Sequence, residues 1–283
     1  MKLGLFTYNT DDGADPIQVA REAEAIGFES IFCPDHSHVP ASRLSPYPDP
    51  PYGELPREYY RMQDPFVTLS GIATVTTRIK LGTSICLVVE RDPISLAKIV
   101  ASLDHLSRGR VLLGVGAGWN REEMENHGTD PKTRMTLLKE RVEAMKAIWT
   151  QEQAEYHGRF VNFDPIFSWP KPFQKPHPPV IVGGMGAGVL DRVATFGDGW
   201  LPGQQKDLDA LHARIMELQE LVKAAGRDPV EITIISHSSK HVARYAEMGI
   251  SRTILPLPAG PIEAVREKMN QYAQEWGNHL DPL

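Results

Sequence analysis

His36 is the best placed of the few acids and bases that could do chemistry in this chain. It stands in Asp35-His36-Ser37-His38, directly after the apolar segment Ser30 to Cys33. An imidazole at a strand end suits proton transfer near neutral pH, and Asp35 beside it could orient the ring or cap the following turn. The His36-x-His38 spacing also invites zinc, which needs further His, Cys or carboxylate ligands. None stands at the ends of the fourth, fifth or sixth predicted strands, so no metal is expected.

Glycine supplies the second signal. Val111 to Val115 is apolar on both faces apart from Gly114, as in a strand buried on both sides, and it runs into Gly116-Ala117-Gly118-Trp119. Gly82-Thr83-Ser84 and Gly183-Gly184-Met185-Gly186-Ala187-Gly188 are strand ends of the same kind. Nearly bare backbone lets a flat ligand lie against the main chain, and amides ahead of a helix accept phosphate. Such glycines also make tight turns or let a helix pack closely. Little acid–base equipment beside much glycine and aromatic surface suits a large planar cofactor that brings its own chemistry.

The elements that must position these residues alternate. The pattern predicts strands at Leu3 to Tyr8, Ser30 to Cys33, Lys80 to Val89, Arg110 to Val115, Pro179 to Val182, Gly199 to Leu201, Glu231 to Ser236 and Arg252 to Leu257. Between and after them it predicts helices from Ile17 to Ile26, Asp64-Pro65 to Val75, Pro93 to Leu106, Lys132 to Trp149, Val189 to Phe196, Leu208 to Ala224, Val242 to Met248 and Pro261 to Trp276. Eight such units without a composition break predict an α/β fold, a single (β/α)8 TIM barrel spanning 1–283 with insertion loops at its C-terminal face. A doubly wound sheet is disfavoured, because Tyr8-Asn9-Thr10-Asp11 stands where a Rossmann glycine motif should follow the first strand.

The proline-rich stretch from Val39 to about Met62, with Tyr47, Tyr52, Tyr59 and Tyr60, reads as a lid or pocket wall. Tyr8, Trp119 and Trp200 are expected to line a substrate pocket, and Ser236 and His237 to end the seventh strand. Tyr156 to Phe167 is an aromatic excursion outside the repeat, and Glu122, Glu123 and Glu125 form a short acidic segment.

The 283 residues suffice for a large core, and 41% hydrophobic with 23% charged residues is a soluble balance. A net charge of −6 without a Lys/Arg block argues against nucleic acid. No apolar run is long enough for a membrane span, and the start at Met1-Lys2-Leu3-Gly4-Leu5-Phe6 reads as a strand, not a signal peptide. The cytoplasm is the expected location. Cys33 and Cys86 read as small buried hydrophobes.

The chain resembles the bacterial luciferase-like (β/α)8 superfamily, and within it the deazaflavin branch that uses coenzyme F420. The resemblance covers nearly the whole length. It is carried by Pro34-Asp35-His36 with Val39-Pro40, Thr77-Arg78-Ile79-Lys80-Leu81-Gly82-Thr83, Pro93 with Leu96-Ala97-Lys98, Leu103-Asp104 through Ser107-Arg108-Gly109-Arg110, Gly114 to Trp119, Pro176-His177-Pro178-Pro179, and Gly197-Asp198-Gly199-Trp200. It implies that the ring rests on a bulge at Ser84-Ile85, where relatives carry a non-prolyl cis peptide. It further implies that Asp35, Gly116, Ala117, Gly118, Gly183, Gly184 and Gly186 hold the cofactor, and that His36 faces its reactive carbon. Sugar-phosphate and alcohol dehydrogenases of this branch carry a glutamate after the third glycine, where this chain has Trp119. The resemblance thus implies a small hydrophobic or aromatic substrate and a homodimer.

Two alternatives accompany the F420-dependent oxidoreductase. One is an FMN-dependent monooxygenase fed by a separate reductase; such relatives often carry Glu-His-His after the second strand, and Asp35-His36 points away from them. The other is a flavin-binding protein without turnover.

Overall fold

Three helices open on an aspartate followed by a proline: α1 (Pro16–Ile26), α2 (Pro65–Val75) and α3 (Pro93–Leu106). In each the aspartate side chain accepts from backbone amides of the first turn: Asp15 from Ile17 at 2.9 Å, Asp64 from Phe66 at 2.8 Å, and Asp92 from Ser95 at 2.8 Å. Proline at the first helical position has no N–H to leave unpaired, so local sequence alone fixes these starts. Gly27 ends α1 in the left-handed region, its N–H returning to Ala23 and Glu24.

The computed structural model describes residues 1–48, 54–203, 207–236 and 239–280. Eight parallel strands close into a barrel: β1 (Lys2–Phe6), β2 (Ser30–Cys33), β3 (Lys80–Thr83) with its continuation β4 (Cys86–Leu87), β5 (Val111–Gly116), β8 (Val180–Gly183), β9 (Gly199–Leu201), β10 (Glu231–Ile235) and β11 (Arg252–Pro256). Closure is made where β1 pairs with β11, Lys2 opposite Arg252, and where β3 pairs with β5, Leu81 opposite Val111. The outer layer continues with α5 (Arg134–Thr150), α6 (Val189–Phe196), α7 (Leu208–Ala224), α8 (Val242–Glu247) and α9 (Ile262–Trp276). This is the predicted (β/α)8 barrel.

One segment differs from the sequence expectation, and two others take structures that it left unassigned. The third strand is not continuous to Val89, because it steps out of register at Thr83-Ser84-Ile85 and ends in a 3₁₀ turn, Val88–Glu90. The aromatic excursion is an antiparallel hairpin, β6 (Ala154–His157) with β7 (Asn162–Ile166), outside the barrel sheet. The acidic segment is a short helix, α4 (Arg121–Asn126), with Glu123 and Met124 on its buried side.

Period-2 alternation divides the core. Phe6, Phe32, Leu112, Ile181, Leu201 and Ile254, one from each of six barrel strands, pack together inside the barrel. Their neighbours Leu5, Ile31, Leu113, Val182 and Leu255 face the helices in the larger cluster. Cys33 and Cys86 are buried free thiols, and burial pushes Cys33 up to about 12. At the N-terminal ends of the strands the buried Arg252 guanidinium donates two 2.8 Å hydrogen bonds to Glu29 and a third, 3.2 Å, to Glu231. Although burial opposes its charge, pairing with Arg252 holds the Glu29 carboxyl below its usual range. Among the described residues no helix is long and apolar enough to cross a membrane.

Candidate active site

The floor of the site begins with a register defect. Gly82 lies opposite Leu112, and Cys86 opposite Val115, so four steps on one strand face three on the other. The extra residue is accommodated at Ser84-Ile85, whose peptide bond is cis. The bulge is tied on every side. The Ser84 amide donates to the Cys33 carbonyl at 2.8 Å, the Thr83 hydroxyl to the Gly114 carbonyl at 2.7 Å, and the Leu87 amide to Asp35 Oδ2 at 3.0 Å. Asp35 in turn receives Arg91 through two hydrogen bonds of 2.7 and 3.0 Å. Arg91 also reaches Asp64, the N-cap of α2, at 2.8 Å.

Above this floor opens a cavity of about 560 Å³ at the C-terminal ends of the strands, a size usual for small-molecule sites. Its base is Ser84, Ile85, Ala117, Gly118, Gly183 and Gly184; its wall is largely aromatic. Tyr59 packs on Tyr8, Tyr47 and His36 with ring centroids 6.2, 5.3 and 5.2 Å apart, and Trp119 lies 5.9 Å from Tyr47 and 6.0 Å from His36. Tyr47 and Tyr59 come from the proline-rich loop, which is a pocket wall over its described part; Tyr52 lies outside the described residues. Glu122 Oε1 fixes one end of that loop through the amides of Leu44 and Ser45 at 3.0 and 3.2 Å. Arg61, bidentate to Asp11 at 2.7 and 2.8 Å, fixes the other.

His36 is held from behind. Its Nδ1 stands 2.7 Å from Glu123 Oε2, while Glu123 Oε1 accepts the Ser37 amide at 3.1 Å. A carboxylate only accepts, so Nδ1 is the donor. Nε2 has no hydrogen-bond partner among the described residues, on a ring that lines the pocket. A carboxylate that orients an imidazole in this way presets it for acid–base work at the other nitrogen.

Of the residues expected at the site, the structure brings Tyr8, Asp35, His36, Ser84, Ile85, Ala117, Gly118, Trp119, Gly183 and Gly184 to the cavity. Three others are placed differently. Gly116 lies beneath Ile85, whose side chain fills the space a Cβ there would need. Trp200 is fully buried and donates its indole N–H to the Gly184 carbonyl at 2.9 Å. Gly186 stands beyond the cavity lining, where a Cβ would meet nothing within 4 Å. The Gly184 amide donates to the Leu201 carbonyl at 2.9 Å, so it is already engaged and not open to an anion. Ser236 follows β10 as expected, and His237 lies outside the described residues. No cluster of His, Cys, Asp or Glu among the described residues could hold a metal ion.

Sequence reasoning missed Glu123 and Glu90. The first was one of three neighbouring acids, and only the helical phase of α4, which buries positions 123 and 124, tells them apart. Glu90 ends the 3₁₀ turn after β4, with a side chain only 3% exposed. Burial, then the charges of Glu123 and Asp35, push its carboxyl up to about 9 against the pull of Arg91.

Comparison with known proteins places this geometry. The sequence model of the luciferase-like monooxygenase family matches residues 1–276. An uncharacterized protein of Mycobacterium tuberculosis is 43% identical over 264 residues, covering 91% of this chain and 92% of its own. Among solved structures, the monooxygenase RslO1 of Streptomyces bottropensis superposes with a TM-score of 0.81 at 19% identity over 99% of both chains. An F420-dependent secondary alcohol dehydrogenase, in complex with an F420-acetone adduct, does so with 0.77 at 18% identity, again over 99% of both. F420-dependent and FMN-dependent enzymes both occur among the further relatives. The chain belongs to the luciferase-like monooxygenase family.

Proposed function

We propose that this protein is an F420-dependent oxidoreductase that transfers a hydride between the deazaflavin and a small hydrophobic or aromatic molecule. The observation that carries the reading is the join of a flat floor, Ser84-Ile85 with Ala117 and Gly118, to an aromatic wall with the Glu123-oriented His36 at their edge. The floor fits a planar ring system, and the open space at Gly184 and Gly186 fits a chain leading away from it. The bound deazaflavin supplies the hydride chemistry.

This chain's residues supply the rest. Ser84, Ile85, Ala117 and Gly118 support the ring, and Gly183 and Gly184 border its side chain. The amides of Gly186, Ala187 and Gly188 ahead of α6, with Arg192 against the Ala187 carbonyl at 3.3 Å, form an anion-binding end. Tyr8 and Trp119 exclude water from the substrate side. His36 Nε2 offers a proton or hydrogen bond to a substrate oxygen. Asp35 acts through the bulge, its carboxylate being occupied by Arg91 and the Leu87 amide.

FMN-dependent relatives favour a second reading, a monooxygenase with a separate reductase on the same floor. Titrating the protein with F420 and with FMN, followed by cofactor fluorescence, separates the two. Preference for F420 supports the first reading, and equal or tighter FMN binding replaces it with the second. A homodimer in the cytoplasm accompanies either reading, and sedimentation measures its assembly.

A further inference from the structure

The segment between β7 and β8 forms a strap across the outer side of α3. Its backbone is tied down: His105 Nε2 donates to the Lys171 carbonyl at 2.6 Å, the Lys171 ammonium to the carbonyls of Ile148 and Gln151 at 2.7 and 2.5 Å, and the Gln174 amide to Asp104 Oδ2 at 2.8 Å. On this fixed strap Phe167, Trp169 and Phe173 are each more than half exposed. Ile99 and Leu106 of α3 are exposed as well, next to Lys98, which reaches the Trp169 carbonyl, and His105, whose ring packs on Phe173. Apolar exposure gathered in this way marks an interaction surface.

Opposite charges bracket the aromatics. At the start of the strap stands exposed Asp164, with Glu155 beside it across the hairpin. At its end stands exposed Lys175, with exposed Arg108 at the turn where Gly109 leaves room for Phe173 and Gln174. Among the described residues Asp164 meets no cation, Arg108 and Lys175 meet no carboxylate, and Glu155 has only His157 at 3.7 Å. A row that runs acidic, aromatic, basic is its own complement when turned end for end, because a twofold contact sets each residue against its counterpart in both directions. Trp169, five residues after Asp164 and six before Lys175, falls at the middle of the row. We infer that the strap is the face on which two copies of this chain pair, about a twofold axis near Trp169, with Asp164 and Glu155 of each copy against Lys175 and Arg108 of the other. A central aromatic inside a charged rim is a usual build for such an interface. The face presupposes the homodimer of the proposed function and is independent of the cofactor.

Sedimentation equilibrium of the full chain tests this. The wild type should be a dimer, and Trp169→Glu should raise its dissociation constant by about thirtyfold or more, the scale of a central aromatic anchor. Asp164→Lys and Lys175→Glu should each weaken the dimer by setting like charges across the axis, and the double variant should restore it by reversing both ends of the pairing. If Trp169→Glu does not fold, the charge variants decide alone. A dimer as tight in Trp169→Glu as in the wild type refutes the face and leaves the homodimer standing. A double variant no tighter than either single one refutes the end-for-end pairing. A monomeric wild type refutes homodimer and face together, and if it then binds phosphatidylglycerol vesicles unless Trp169 is replaced, the strap belongs to a lipid surface instead. A protein that dimerises as stated yet ignores F420 refutes the cofactor reading alone.

Discussion

Ile85 and Gly116 share one slot: the isoleucine side chain occupies the space that a Cβ on the glycine would need. Gly183 borders the same side chain, its Cβ position 3.0 Å from Ile85 Cγ2. The bulge that carries the Ser84-Ile85 peptide is therefore seated in a notch cut by glycines of two neighbouring strands.

That relationship separates two kinds of glycine. Gly116→Ala forces Ile85 and the bulge to move, at a cost of about 1–3 kcal/mol for an overpacked core, and disturbs the floor as well. Gly186→Ala meets open space and has no positive φ, so its folding stability should be unchanged. Urea unfolding of both variants checks this, with equal stability of Gly116→Ala and wild type counting against the notch.

Cofactor preference follows from the proposed function. F420 should bind at least tenfold more tightly than FMN, about 1.4 kcal/mol of preference, as read by calorimetry. With a turned-over substrate, His36→Ala should lower turnover by about 10²- to 10⁴-fold, the range for a lost general acid or base. Its F420 affinity should change far less, and unchanged turnover would reduce His36 to a packing residue.

Much of this was legible in the chain because the signals are local. Ser30–Cys33 and Pro93–Leu106 are bounded by apolar period and an aspartate–proline start, and the observed elements match. His36 and the glycine run were legible as strand ends. Trp200 was not: in a three-residue strand, alternation does not reveal which face is inside, and Leu201 takes the barrel interior. The Ile85 slot over Gly116 depends on a register shift between strands, which no single segment encodes.

The far end of the barrel carries stability. Arg252→Met leaves Glu29 buried opposite an apolar side chain, and losing one partner of such a pair costs about 3–5 kcal/mol. The folded Glu29 carboxyl titrates below its ordinary 4.5, so the stabilisation is present above that pH and is lost as pH falls through the folded value. Denaturant midpoints should differ widely at neutral pH and converge in acid; a pH-independent difference would assign Arg252 a packing role alone.

Glu90 reverses that sign. Its carboxyl moves from an ordinary 4.5 to about 9 in the folded protein, so between those values the folded state keeps a proton that the unfolded chain has released. Stability from this group is complete below the lower value, declines as pH rises, and is fully lost above the upper one, with a slope of up to about 1.4 kcal/mol per pH unit. Glu90→Gln keeps the shape and cannot ionise, so it should abolish this slope. Relative to wild type it should therefore gain stability steadily from acid to alkaline pH. Urea unfolding of both proteins across that range measures the difference directly, and parallel stability curves would mean that Glu90 is already ionised in the folded state.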